Sequence, residues 1–445
     1  MVPAAGDARL IIAHGRASQP GACPRPAYEY IQRDKPVLIE EQWGDMRRRS
    51  FVRSLACLPL AGLAMRSAQS SPAPHVAVVG AGAFGGWTAL NLRLAGAKVT
   101  LLDAWGPGHS RASSGGESRV IRHSYAQPIY VEMAKRSLAV WKEVTDTWER
   151  PLLHTTGVLH MYQADSPVTL DDGSLMRDAG IRHELLDHDE LARRFPQVSM
   201  DGIESALFEP TGGYILARRA CEAVVDAFVE EGGAYRTANV RPGGLAGGRM
   251  ATVRLSDGET FTADTYVFAC GPWLKSLFPD LLGPHLSISR QEVFYFGTPA
   301  SDRRYSAGEL PVWTDIGDPI WYGIPGGERR GFKIADDTRG PGHDPTSAER
   351  TVSAQGISRA KAYIGKRFPG LEGAPLIESR VCQYTNTRDG DFIADRHPLA
   401  ENVWLLGGGS GHGFKHGPAL GEMAAAQILG TRPVEPTFSL ARFAS

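Results

Sequence analysis

The segment from His75 to Asp103 constrains this chain more than any other. His75-Val76-Ala77-Val78-Val79 is a short, β-branched apolar run of the kind that forms a buried parallel strand. It leads straight into Gly80-Ala81-Gly82-Ala83-Phe84-Gly85, and the residues from Gly86 to Gly96 then carry helical spacing with a glycine at the C-cap. Lys98-Val99-Thr100-Leu101-Leu102-Asp103 reads as a second strand that ends on an acid. Strand, glycine turn, helix and acid-terminated strand together make a dinucleotide-binding βαβ unit. Gly80 permits the tight turn, Gly82 lets the backbone approach a pyrophosphate, and Gly85 allows the helix to pack closely on the strand. Ala83 and Phe84 open the helix, whose free N–H groups and positive dipole end suit phosphate. Asp103 is placed to accept hydrogen bonds from ribose hydroxyls.

Other segments read as returns to the same sheet. Residues 220–232 have amphipathic helical spacing, Thr265 to Gly271 is a strand ending on small residues, and Asn402 to Leu406 is another. That last strand runs into Gly407-Gly408-Gly409-Ser410-Gly411-His412-Gly413 and a helix from Pro418 to Leu429. The intervening stretches are richer in turns, aromatics and short alternating runs. The expected fold is α/β: a Rossmann-type parallel sheet with helices, plus a second, mainly antiparallel α+β domain. The dinucleotide-binding domain is discontinuous, over residues 74–155, 215–289 and 371–435, and residues 156–214 and 290–370 form the substrate domain.

Composition narrows the partners. The chain has 445 residues, with 48 basic and 49 acidic side chains and a formal net charge of -1. Nothing in that balance draws it to nucleic acid or to an anionic membrane, so small molecules are the expected partners. Five scattered cysteines (Cys23, Cys57, Cys221, Cys270, Cys382) show no CxxC and no metal-ligand spacing, and an odd count argues against a disulfide framework.

Residues 1–45 are rich in proline and glycine and read as a disordered upstream extension. From Met46, Arg48-Arg49-Ser50-Phe51-Val52-Arg53 precedes an apolar stretch from Leu55 to Met65. Two arginines, an apolar residue and a further base resemble a twin-arginine export signal, and residues 46–73 are assigned as that signal and its linker. The apolar stretch is too short for a bilayer that needs ~20 residues, so stable membrane insertion is not expected. Export machinery that carries folded proteins, and a periplasmic location, follow; the alternative is a basic tail on a cytoplasmic protein.

Four segments in order, Val78–Asp103, Ser113–Arg122 (SSGGESRVIR), Arg380–Thr387 (RVCQYTNT) and Gly407–Lys415 (GGGSGHGFK), give the chain a family likeness. From about His75 to Gly430 it resembles the monomeric sarcosine oxidase and N-methyltryptophan oxidase family of D-amino-acid-oxidase-like flavoenzymes. The resemblance implies FAD as cofactor, joined covalently at Cys382, with Arg380 favouring the thiolate. It places Arg122 and Lys415 on the substrate carboxylate, Arg119 beside the flavin ring, and Tyr322 in the substrate pocket. Lys333 matches the lysine that activates oxygen near the flavin. Ser113, Gly409, Gly411, Gly413 and Lys415 match cofactor contacts, the glycine run aiming N–H groups at the flavin edge where negative charge develops.

Two positions depart from the family. Asp337 stands where a histidine follows the lysine, and Ser114 and Gly115 stand where a histidine precedes Arg119. Asp337 is assigned to the pocket, paired either with Lys333 or with a second polar group of the substrate. The implied reaction oxidises a small amine or N-substituted amino acid to an imine, with oxygen as acceptor and hydrogen peroxide as product. The alternatives are a dehydrogenase feeding a quinone or protein acceptor, and a non-catalytic FAD-binding protein.

If residues 46–73 direct twin-arginine export, changing Arg48 and Arg49 to lysine strands the protein in the cytoplasm. Fractionation with amino-terminal sequencing checks this: the periplasmic wild type should start after about Ala64 or Ala68. Wild-type protein found in the cytosol alone refutes it.

Overall fold

Apolar strands buried on both faces demand neighbours on both sides, and the first strand has them. In a computed structural model that describes residues 73–166, 173–328 and 330–444, His75–Val79 lies between Lys98–Asp103 and Thr265–Phe268, parallel to both. The expected extension and the twin-arginine motif fall outside the described residues. The full sheet has six strands, in the order Ile393–His397, Ala400–Gly407, Thr265–Phe268, His75–Val79, Lys98–Asp103, Ala234–Thr237. Only the pair Ile393–His397 and Ala400–Gly407 is antiparallel. Helices Ala83–Leu94, Pro128–Thr147, Ala217–Glu230 and Gly417–Ile428 carry the core residues Leu90, Trp141, Phe228 and Leu420.

The glycine turn is fixed by space as well as torsion. Gly80 has φ +108°, and a Cβ there would lie 2.4 Å from the Ala269 carbonyl oxygen. A Cβ on Gly85 would lie 1.8 Å from the Gly80 oxygen, so the helix can start against the strand only with glycine at both positions.

The second sheet has eight strands, in the order Leu376–Thr387, Leu286–Phe296, Phe332–Asp336, Trp321–Ile324, Val312–Ile316, Val158–Gln163, Ile203–Glu209, Glu184–Asp187. All neighbours are antiparallel except Val312–Ile316 with Val158–Gln163. Period-two alternation sorts its faces. Phe294, Phe296, Trp313, Phe332 and Ile334 share a core with Ile364 of the helix Ala354–Arg367 and with Phe368. Asp315, pointing the same way, pairs with the buried Arg367 at 2.9 Å and accepts from the Tyr363 hydroxyl.

Register corrects one boundary. The sequence groups residues 371–435 with the dinucleotide-binding segments, yet Leu376–Thr387 pairs along its length with Leu286–Phe296 in the eight-stranded sheet. The two alternating strands bury side chains only when zipped together, so the strand carrying Cys382 belongs to the antiparallel sheet. A small sheet of Ser118–Ile121, Gly213–Leu216 and Leu153–Thr155 completes the fold around the site. Among the described residues no helix is long and apolar enough to cross a membrane.

Candidate active site

The glycine turn opens onto a cavity of 470 Å³ lined by Gly80, Gly82, Ala83, Phe84, Asp103, Ser113, Arg119, Gly409, Gly411 and Gly413. Gly85 does not line it; its part is the close packing already described. Asp103 accepts from the backbone N–H groups of Ala81 (2.8 Å), Trp105 and Gly106 (both 2.9 Å). That holds the carboxylate at the cavity wall with acceptor capacity to spare, since an ionised carboxylate offers about four acceptor sites. Trp105 and Trp273, with ring centroids 5.0 Å apart, line the same cavity.

A second cavity, of 1120 Å³, shares Ala112, Arg119, Tyr384, Gly411 and Phe414 with the first, so the two form one elongated cleft. Its wall is the polar face of the eight-stranded sheet. Arg380, Val293, Ala335, Tyr322, Thr314 and His160 stand directly opposite one another across six strands, and Cys382 faces Gln291 one step along. Lys333 lies opposite Tyr295 on the same face as Ala335. Its Nζ donates to the Ser118 carbonyl at 2.9 Å, and Nη1 of Arg119 donates to the same oxygen at 2.8 Å. Burial, reinforced by the Arg119 charge, holds the Lys333 pKa well below the usual lysine value.

Arg119 also donates to the Ser113 carbonyl at 2.6 Å, and its Nη2 lies 3.7 Å from Cys382 Sγ. Arg380 is engaged elsewhere, by Glu117 at 2.8 Å and by Glu378. The cation beside the cysteine is therefore Arg119, not Arg380 as the sequence suggested, because Glu117 and Glu378 draw Arg380 away while Arg119 turns toward the sulfur. Ser113 Oγ donates to the Gln383 carbonyl at 3.0 Å, tying the loop before Arg119 to the cysteine strand.

Arg122 and Lys415 come together through a residue that sequence reasoning missed. The Arg122 guanidinium lies 4.2 Å from the Tyr125 ring centroid, and Lys415 Nζ donates to the Tyr125 hydroxyl at 2.8 Å and to the His412 carbonyl at 2.8 Å. Residues 122–125 follow the strand Ser118–Ile121 without regular structure, so no periodicity in the sequence pointed to Tyr125. Lys415 lies in the second cavity rather than the first. Burial and the Arg122 charge press its pKa well below normal. His412 and His416, given no role from sequence, border this group. His416 bonds the Tyr125 hydroxyl at 3.0 Å, and burial lowers the His412 pKa to about 3.

Asp337 lies just past its strand and accepts from the Tyr384 hydroxyl at 2.8 Å, with Arg339 at 3.6 Å. It does not pair with Lys333, whose amine is committed to Ser118. Desolvation raises the Asp337 pKa, with Arg339 and the Tyr384 hydroxyl opposing. Tyr384, also missed, is two residues beyond Cys382 and so shares its face.

The profile of the family described as FAD dependent oxidoreductase matches residues 75–427. The chain belongs to that family. Human peroxisomal sarcosine oxidase is 29% identical over 82% of this chain and 94% of the relative. The monomeric sarcosine oxidase of Streptomyces avermitilis is 30% identical over 81% and 94%. N-methyl-L-tryptophan oxidase of Citrobacter koseri is 30% identical over 80% and 95%. Among solved structures, Amadoriase I of Aspergillus fumigatus superposes with a TM-score of 0.70 at 22% identity, covering 84% of this chain and 90% of that one. The family resemblance and the α/β fold expected from the motifs are both borne out. The flavoenzyme's cleft also suits FAD on its own terms: a glycine turn too tight for any Cβ, a helix start, and a carboxylate held at the wall.

Proposed function

We propose that this flavoenzyme oxidises a small amine or N-substituted amino acid to its imine, with oxygen as acceptor and hydrogen peroxide as product. The observation that carries the reading is the shared cavity: Lys333, Arg119 and Tyr322 line the same space as the cation pair Arg122 and Lys415. Similarity to sarcosine and N-methyl-L-tryptophan oxidases over most of the chain supports an amine substrate.

Bound FAD supplies the two-electron acceptor, and Gly80, Gly82, Ala83, Asp103, Ser113, Gly409, Gly411 and Gly413 would hold it. Arg122 and Lys415 receive the substrate carboxylate; its charge restores the ammonium form of Lys415 that burial disfavours. The cationic side chains Arg119, Arg122, Lys333 and Lys415, gathered in one cavity, also favour the amine as its free base, the form whose neighbouring carbon gives up a hydride equivalent. Tyr322 orients that carbon, and Lys333 provides the positive charge for oxygen reduction. An amine panel tests the reading: a substrate should bleach the flavin without oxygen and give peroxide with it. Because the Lys333 pKa is lowered and its ammonium is the active form, reoxidation should slow as pH rises through that pKa. Lys333→Met should slow reoxidation and remove the pH dependence; equal reoxidation rates in both proteins count against an oxidase.

Cys382 Sγ is the proposed covalent attachment point, supported by its place in the cleft beside Arg119. Acid-precipitated wild-type protein should stay yellow, whereas Cys382→Ala should release its flavin into the supernatant. Release from both proteins removes the covalent link. Export through residues 46–73 rests on the sequence signal alone.

Asp337 is proposed to contact a second polar group of the substrate. Its carboxylate lies in the cavity with Arg122 and Lys415 and is 32% exposed to that space. Asp337→Asn should raise KM about tenfold or more, as loss of a charged hydrogen bond of ~1.5–3 kcal/mol would, with reoxidation nearly unchanged. Faster reoxidation at unaltered KM assigns Asp337 to tuning Lys333 instead.

A further inference from the structure

Behind the Arg122 and Lys415 cations sits a carboxylate that no step above uses. Glu209, at the end of Ile203–Glu209, is completely buried. It takes hydrogen bonds from the backbone N–H groups of His123 (2.7 Å) and Ser124 (2.9 Å). Both its oxygens also meet imidazoles, His123 Nδ1 at 3.0 Å and His160 Nε2 at 2.9 Å. His160 in turn bonds Thr314 Oγ1 at 2.9 Å. Burial alone would push the Glu209 pKa up, but the bonds from both histidines outweigh it and keep the group ionised.

The place of this contact matters as much as its strength. Residues 123 and 124 lie between Arg122 and Tyr125, the residues that bracket the anion site. They follow the strand Ser118–Ile121 of the small sheet, whereas Glu209 and His160 belong to the eight-stranded sheet. Glu209 thus fastens the segment bearing Arg122 and Tyr125 to the sheet that lines the cavity. A buried carboxylate with two backbone donors is a rigid strut, because releasing either donor would leave a buried polar group unpaired. Its negative charge also lies near enough to raise the pKa of Lys415, which burial depresses.

We propose that Glu209 is the positioning residue of the carboxylate-binding site, holding Arg122 and Tyr125 in place and supplying the buried counter-charge for Lys415. The inference rests on the reading that Arg122 and Lys415 bind a carboxylate. It concerns affinity for anions and predicts no part for Glu209 in oxygen reduction.

The test is acetate binding to the holoenzyme, followed through the flavin visible spectrum. Wild type should bind acetate, and Glu209→Gln should raise its Kd about tenfold or more. Flavin content, and reoxidation of the photoreduced flavin by oxygen, should stay within about twofold of wild type. That split separates positioning from a general loss of structure, which would move all three together. His160→Leu removes one of the four bonds and keeps both backbone contacts, so its acetate Kd should rise about threefold. This second variant decides the matter if Glu209→Gln does not accumulate as holoenzyme. Acetate Kd unchanged in either folded variant overturns the role of Glu209 and leaves the anion site standing. Wild type that binds no acetate overturns the anion site and the inference together.

Discussion

A β-strand hands alternate side chains to opposite faces, and the site of this flavoenzyme depends on that constraint being kept across six neighbouring strands. On one face Phe294, Trp313, Phe332 and Ile334 bury against the helix Ala354–Arg367. On the other, Arg380, Tyr322, Thr314 and His160 stand in a row, with Lys333 and Cys382 a step to either side. The apolar face sets the register, because a slip of one residue would expose the phenylalanines. The polar face then follows without having to be stable for its own sake. Side chains costly to bury are held where function wants them by residues on the far side of the same strands.

The cleft concentrates positive charge. Arg119, Arg122, Lys333 and Lys415 all line it, and burial presses both lysines below their ordinary pKa values. Such a site is poorly balanced without an anion, and Coulomb interactions in a partly desolvated space are several times stronger than in water. The substrate carboxylate proposed above and the negative charge that accompanies electron transfer would meet the same electrostatic demand. Asp337 is one acid set among these cations, its side chain a third exposed, with Tyr384 and Arg339 as its partners.

Legibility in the sequence tracked how local each interaction was. The βαβ unit was readable because its strand, glycines, helix and acid are consecutive, and Gly80 and Gly85 make the tight turn and the close packing their positions announce. Lys333 was legible through the family resemblance, and the strand Phe332–Asp336 puts it in the cavity wall. The cation beside Cys382 was not, because choosing Arg119 over Arg380 requires knowing that Glu117 and Glu378 have already engaged Arg380. The strand Leu376–Thr387 was grouped with the dinucleotide-binding segments for a similar reason: its partner Leu286–Phe296 lies far away in sequence. Tyr384 could have been found from spacing alone, two residues from Cys382 on one strand, whereas Tyr125 lies in an irregular segment that no periodicity reads. Glu209 could not, since nothing in Phe208-Glu209-Pro210 says that its carboxylate meets His123 and His160.

The order of strands in the six-stranded sheet bears on how the protein is made. The first strand, His75–Val79, leaves the ribosome early, but its neighbour Thr265–Phe268 and the next strand, Ala400–Gly407, come much later. The glycines that close the cleft, Gly409 to Gly413, follow that last strand. The glycine turn at Gly80 therefore has only part of its cleft until residues as distant as Gly413 have been made. The complete cleft needs pairings between segments distant in sequence, and long-range pairings of this kind are slow to form. The nascent chain must keep an apolar strand edge from pairing wrongly in the meantime, so the supply of cofactor at the moment of release bears on how much of the protein reaches its native state.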